Sequence, residues 1–358
     1  MLTPGSLASS AAPLPQPTQH GRLGSAAPDV EYEDLLGLWA DLECALSVLL
    51  ARPQQVRDFP AKVRQLDRWL QELVAHDIDA ALYLMFQLAS TSTAGYSASH
   101  ALVCATLCHL MAFEFDLPAH ERNALVRAAF TMNISMTALQ DELAHQRAKP
   151  SPAQRQSIDS HAQRSQALLE KLQITDALWL SVVGQHHQPR PNALASTGKS
   201  PLSSLEPDQR LVRMLVSTDR YAAMISPRKT RAGRSATDSV REVVGRAMES
   251  RDEAGLLLVR SVGLCPPGTF VRLDNGDTAI VLRRSEQTNL PLVASLLDGT
   301  GAHFSEPHLH QTSNGKPRIQ AAMARAEVKT ELNHRTMVRL GLYAVQRSTP
   351  LVTQVGLL

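Results

Sequence analysis

The spacing of apolar residues constrains this chain more than any other feature. Between Tyr32 and Leu88, and again from Ser97 to about Met248, they recur at the period of a helix rather than a strand. Leu35, Leu38, Trp39, Leu42 and Leu46 make one stripe, and Val63, Leu66, Leu70, Leu73 and Val74 make another. The expectation is a mainly α fold, with a helical N-terminal region over 31–94 and five or more amphipathic helices after it. Those helices should cover about 98–115, 120–136, 153–172, 175–187 and 207–226, with another near 236–249. Pro118 and Pro152 stand where helices should begin, a position that suits a residue without an N–H. Aromatic residues are only 4% of the chain, so Leu, Ala, Val and Met must fill the core.

Outside these stretches the texture differs. Residues 1–30 are rich in Pro, Ser, Ala and Gly and are expected to form a disordered tail, because they cannot bury enough surface to offset ordering entropy. Pro189 to Asp208 reads as a long loop. After Leu264 the run CPPGTFVRLDNGDTAIVLRR predicts two strands around an Asn275–Gly276 turn, and 291–298 a third. A small β extension is therefore expected over 256–312, followed by a partly helical tail over 313–358 with a helix around 318–333. The formal charge of +2 argues against a surface built to grip nucleic acid. Four cysteines make no disulfide framework. The apolar run Ala81–Phe86 is far shorter than the roughly 20 residues of a membrane span, and no secretory signal is visible, so a cytoplasmic setting is expected.

Chemistry enters with the polar residues that share apolar stripes. His100 lies with Val103, Cys104, Leu107 and Met111. His161 lies with Ile158, Leu168 and Leu172, and His186, followed by His187, continues Trp179, Val182 and Val183. Asp219 continues Val212, Leu215 and Val216, and Asn133 continues Val126, Ala129 and Phe130. Singly, each is ordinarily a hydrogen-bonded core side chain. A buried Asp without a partner costs several kcal/mol, however, so Asp219 needs a cation or donors. Five helices each turning one such residue inward point to a shared polar site, and imidazoles with a carboxylate suit zinc, iron or manganese.

The segments YSASHALVCATLCHLMAFEFDLPAHERNALVRAAFTMNISM, IDSHAQRSQALL, VVGQHHQ and RLVRMLVSTDRYAAMISPRKTR resemble the HD-GYP domain, a bacterial branch of the HD metal-dependent phosphohydrolases. The resemblance covers about 95–255 and implies an HD-type helical bundle around a metal centre. Its first histidine is matched by His100. Its His-Asp pair and the following Ile-Gly-Lys fall on Met132, Asn133, Ile134, Ser135 and Met136. Further ligands are matched by His161, His186, His187 and Asp219. Gln188 replaces an acidic residue, no Gly-Tyr-Pro follows, and a basic motif survives in part as Arg228, Lys229 and Arg231.

The departures fall on the catalytic positions. In the family the aspartate of the pair bridges two metals; Asn133 is neutral, Met132 offers a soft thioether, and Met136 replaces an ammonium. The resemblance therefore implies no intact catalytic set. It leaves one transition metal (iron, manganese or zinc) on the His161, His186 and His187 side, or none. The function expected is a catalytically impaired regulator in cyclic di-GMP-type signalling, binding a cyclic dinucleotide or docking a protein such as a diguanylate cyclase. A residual metal-dependent phosphodiesterase is the alternative, and a structural interaction protein with an apolar pocket around Met132 and Met136 is a third.

Three other motifs are read as bland. His76–Asp77–Ile78–Asp79 imitates the missing pair, but the position 32 residues before His76 is Cys44, so it is read as a helix junction with a capping aspartate. His303, His308 and His310 are read as an exposed flexible loop, and Cys104 and Cys108 as thiols packed in a core. The basic run through Arg234 suits phosphate or solvent equally well.

Overall fold

Helices form where the apolar period requires them, and caps or short turns stop them. A computed structural model describes residues 28–91, 95–187, 200–226, 234–235, 237–243, 252–285, 287 and 290–348. The N-terminal helices are α1 (Pro28–Ala51), α2 (Phe59–His76) and α3 (Ile78–Thr91). There follow α4 (Tyr96–Glu114), α5 (Ala119–Thr131), α6 (Thr137–His145), α7 (Pro152–Asp159), α8 (His161–Lys171), α9 (Ala177–Gln185) and α10 (Pro207–Ile225). Residues 237–243 are helical (α11), α12 is Glu253–Val262, and α13 is His334–Ser348. The tail over 1–27 and most of the 189–208 loop lie outside the described residues.

Local chemistry sets several boundaries. Asp58 caps α2 by accepting from the Ala61 amide at 3.2 Å, and Pro60 sits in the first turn, where no N–H is needed. Ser151 and Gln154 form a reciprocal capping box at the start of α7. The single helix expected over 153–172 is two helices. The chain breaks at Ser160, whose hydroxyl donates back to the Gln156 carbonyl at 2.7 Å. The helix expected over 120–136 stops at Thr131 and gives way to a 3-10 turn, Ile134–Met136.

The core is continuous across the helices. It runs from Leu35 and Trp39 on α1, through Val63 and Leu70 on α2 and nearly all of α4, to Leu257 and Leu258 on α12. α4 lies at its centre, against α1, α3, α5, α10 and α12. By length and composition α4 could cross a membrane (mean hydropathy 1.2), but 83% of that window is buried among other helices, which explains its apolar surface.

The C-terminal part is one antiparallel sheet in the order β4-β3-β2-β1-β5. The strands are β1 (Phe270–Leu273), β2 (Thr278–Arg283), β3 (Leu292–Leu297), β4 (His303–Gln311) and β5 (Ile319–Met323). The hairpin at Asn275–Gly276 and the third strand form as the sequence predicts, with Gly276 at φ 90° in the turn. Alternation divides the two faces. Phe270, Ile280, Leu282 and Ala294 join the helical core, while Val271, Leu273, Ala279, Val281 and Val293 pack with Cys265 on the other side.

Two expectations fail here. The His303–His310 stretch is strand β4, not a loop; it pairs with β3 and ends the sheet among the described residues, and an edge position tolerates its polar residues and Pro307. The helix expected around 318–333 is strand β5 and a 3-10 turn, and the helix begins only at His334.

Candidate metal centre

Four helices deliver the site. α4 carries His100 and Cys104, α8 opens on His161, α9 ends immediately before His186 and His187, and α10 carries Asp219. Each is held by contacts outside the site. Asp176 caps α9 by accepting from the Leu178 and Trp179 amides, both at 3.1 Å, and the Trp179 indole donates to the Thr131 hydroxyl at 2.9 Å, fixing α9 on α5. Arg210 of α10 grips Glu121 of α5 with two hydrogen bonds, 2.9 and 3.0 Å, in a nearly dry setting. The break at Ser160 turns the His161 ring back over the end of α7, towards the Ile158 carbonyl.

His161, His186 and His187 form one group. The Nδ1 atoms of His161 and His186 sit against the carbonyls of Ile158 and Val183, the latter at 2.7 Å. A carbonyl only accepts, so each Nδ1 carries the proton and each Nε2 is left with a lone pair. Those two Nε2 atoms are 3.0 Å apart. Two lone pairs at that distance repel unless a proton or a metal ion lies between them. Protonation is opposed: burial, together with the neighbouring rings of His187 and His161, pushes His186 down to about 3, and burial lowers His161 as well. Two neutral imidazoles whose lone pairs converge, with a third beside them, are donors that transition metals take, so the donor set fits such an ion. His187 closes the group, its ring centroid 4.9 Å from that of His161, and is 47% exposed.

The second group is His100, Cys104 and Asp219, whose donor atoms all lie within 4.8 Å of one another. His100 Nε2 is 2.9 Å from Asp219 Oδ1 and 3.6 Å from Cys104 Sγ. The ring of Tyr96 stacks on His100 at 5.6 Å and fixes its plane. Burial pushes the Asp219 carboxyl up, but the hydrogen bond from His100 and the surrounding histidine rings outweigh it and hold it below the usual carboxylate range. Burial and the nearby Asp219 push the Cys104 thiol well up. Asp219 Oδ2 reaches to 3.9 Å from His187 Nε2, so the two groups share a border.

Of the residues expected at a common site, His161, His186 and His187 fall in one donor group and His100 and Asp219 in the other. Cys104 packs in the apolar core, as read from the sequence, and its sulfur also lies within 4.8 Å of donor atoms of His100 and Asp219. The segment that resembles the His-Asp pair is joined to this region through Ser135. Met132 is 1% exposed and belongs to the apolar core, while Asn133 Oδ1 is buried with no hydrogen-bond partner among the described residues. Met136 is half-buried. The turn they occupy is latched to α8: the Ser135 hydroxyl donates to the His161 carbonyl at 3.0 Å, and the Ser165 hydroxyl donates to that of Ser135 at 3.0 Å. Gln188, Arg228, Lys229 and Arg231 lie outside the described residues, and Arg234 pairs with Glu242.

The imitation motif lies elsewhere. Asp77 caps α3 through the Asp79 and Ala80 amides, both at 3.0 Å, and also binds Arg283 at 2.6 Å; Asp79 binds Arg284 at 2.6 Å. These aspartates clamp β2 and the residue after it to the N-terminal helices. On β4, His310 contacts the Ser295 hydroxyl at 3.1 Å and His308 packs against Phe304.

No family model and no curated protein matches the chain. Among solved structures it is similar to an HDGYP protein from Bdellovibrio bacteriovorus, with a TM-score of 0.45, 10% identity, and coverage of 67% of this chain and 73% of that one.

Proposed function

We propose that this chain is an HD-GYP-type protein that has kept part of the ligand set but lost efficient hydrolysis. It would serve as a cytoplasmic nucleotide-binding or protein-docking regulator in bacterial cyclic di-GMP-type signalling. The observation that carries this reading is Asn133, neutral and with a buried Oδ1 that nothing described satisfies, next to a Met132 absorbed into the apolar core. A two-metal hydrolytic centre needs an anionic bridging group where Asn133 stands, and an amide cannot neutralise two cations.

What remains supports a single metal. His161, His186 and His187 would hold one iron, manganese or zinc ion, which when bound supplies Lewis-acid polarisation of an oxygen ligand. The chain's own residues set its surroundings. The two backbone carbonyls orient the rings of His161 and His186, burial keeps both neutral, and the exposed edge of His187 opens the site to solvent and ligand. Arg228, Lys229 and Arg231 would meet the phosphates of a cyclic dinucleotide, since guanidinium groups match phosphate oxygens in pairs. That same exposure of His187 favours the second reading, a slow one-metal phosphodiesterase, because it leaves room for water at the metal.

The test uses untagged protein. Bound iron, manganese and zinc are measured, and cyclic di-GMP binding and turnover are followed on the same sample. Micromolar binding without turnover is expected; formation of linear dinucleotide would establish the second reading instead. Replacing Met132→His together with Asn133→Asp is expected to raise bound metal by about one equivalent per chain. An unchanged metal content would show that the remaining ligands no longer share a two-metal geometry.

A further inference from the structure

We propose that the cleft between the helical bundle and the sheet binds a small organic acid, one carboxylate carried on an apolar body. None of the residues named for this cleft belongs to the candidate metal centre, and the proposal stands whether or not a metal is held there.

The cleft forms where α3 and the end of α10 meet β1 and β5, and it measures about 460 Å³ up to its open mouth. Small-molecule sites are of that scale, about 300–1,000 Å³. Its sides are apolar: Phe86 of α3, Ile225 of α10, Phe270 of β1 and Met323 of β5. Phe86 and Phe270 are buried in the core behind it, whereas Ile225 and Met323 are half-buried. The base is tight. At Gly268, with φ 85°, a Cβ would sit 3.0 Å from the Tyr83 carbonyl oxygen, and the Gln87 side-chain amide donates to the Gly268 carbonyl at 2.7 Å. The loop before β1 is thereby pinned to α3, so the fold itself sets the base of the cleft, which limits what a ligand must reorganise.

Charge decides what such a cleft takes. Two guanidinium groups line it, Arg234 and Arg325. Arg234 is paired with Glu242. Arg325 is half-buried and has no carboxylate partner among the described residues. It donates to the carbonyls of Val328 at 2.5 Å and Thr330 at 2.9 Å, and it lies over the Phe270 ring at 5.3 Å. Carbonyls and a ring face orient a cation but bring no net charge to neutralise it. The two bonds use two of its five N–H groups and leave three donors. Glu327, two residues away, is committed to the Ala324 amide at 2.6 Å. An oriented guanidinium without a counter-charge, beside an apolar wall, matches a carboxylate that brings an apolar body with it. A neutral ligand would displace water from the cation without answering its charge.

The experiment titrates benzoate, phenylacetate and octanoate into the full chain, with phenylacetamide as the neutral control. A chelator is present throughout, so the outcome is independent of any metal. Binding is followed by NMR of carbon-13-labelled methionine methyl groups, and the Met323 signal is assigned by its loss in Met323→Leu. At least one acid is expected to move the Met323 signal saturably. Arg325→Gln should weaken that acid at least about tenfold, the scale of a lost charge-assisted contact. Arg64→Gln, an exposed charge on α2, should leave it unchanged. Failure of all three acids to move the Met323 signal overturns the proposal, as does unweakened binding by Arg325→Gln. Far-ultraviolet circular dichroism checks that the variant folds. If it does not, the wild-type protein decides alone: phenylacetate binding at least about tenfold tighter than phenylacetamide supports the site, and equal affinities reject it.

Discussion

Two buried polar networks lie in the same bundle, and they are built on opposite terms. Where α2 meets α5, fully buried Asp67 takes Arg122 at 2.7 Å on one oxygen and Arg127 at 2.9 Å on the other, and the Arg122 Nε donates to His109 Nδ1 at 2.9 Å. Nearly every donor there meets an acceptor, with one nitrogen of Arg122 left over. At the candidate metal centre the inventory is lopsided. Two imidazole lone pairs face each other, and a carboxylate, a thiol and a third imidazole crowd alongside. The first network is answered almost entirely within the chain, whereas in the second the two facing lone pairs meet no donor among the described residues. Each network centres on an aspartate held in the bundle; the balance of donors and acceptors separates a brace from a site.

Breaking the brace should have the largest effect. Asp67→Ala strands two guanidinium groups in a dry setting and is expected to cost about 3–5 kcal/mol of folding stability. Urea denaturation reads this directly, and any folded fraction should bind metal as before. A smaller effect follows from disturbing the site. His161→Gln removes one of the facing lone pairs and can offer an amide N–H in its place. Metal affinity should fall at least about 10–100-fold in competition with a chelator. Stability of the metal-free protein should stay within about 1 kcal/mol of wild type. A loss of stability as large as that of Asp67→Ala would mean the two networks are not different in kind.

The smallest effect is a pH dependence that belongs to the brace. Burial, aided by the charge of Arg122, pushes His109 down to about 4 from an ordinary value near 6.5. As pH falls below 6.5 the unfolded chain takes up a proton that the folded one refuses until about pH 4, so stability is lost across that window. His109→Gln should flatten the slope by about 1 kcal/mol between pH 6.5 and 5, allowing for solvent screening at a half-buried residue. Urea midpoints of both proteins with chelator present would show it; parallel slopes would remove His109 from the account.

Much of this was legible before any coordinates. Apolar period located the helices because tertiary packing and local preference agree along them, and the Asn275–Gly276 turn located the hairpin. The five inward polar residues were found because a histidine on a Leu and Val stripe is conspicuous. Cys104 was read correctly as a core thiol, and only three-dimensional distance brings its sulfur near His100 and Asp219. The break at Ser160 was invisible because the apolar pattern continues across it. β4 was misread because an edge strand with one open side need not alternate, and β5 because its short Ile-Gln-Ala-Ala-Met run satisfies a helical pattern equally well. The His-Asp letters at 76–77 show the converse: the right residues, next to Arg283 and Arg284, make a clamp.

That clamp bears on how such a chain can be divided. Asp77 and Asp79 meet arginines from the sheet, the Tyr83 hydroxyl lies 3.2 Å from His334 Nδ1 beyond it, and α3 between them packs on α4, which carries His100. Cutting the chain before β1 would leave two carboxylates without counter-charges on the flank of the helix that backs the site. The sheet thus belongs to the helical part's electrostatics: the flank of the helix behind the histidines is balanced by charges that the sheet supplies.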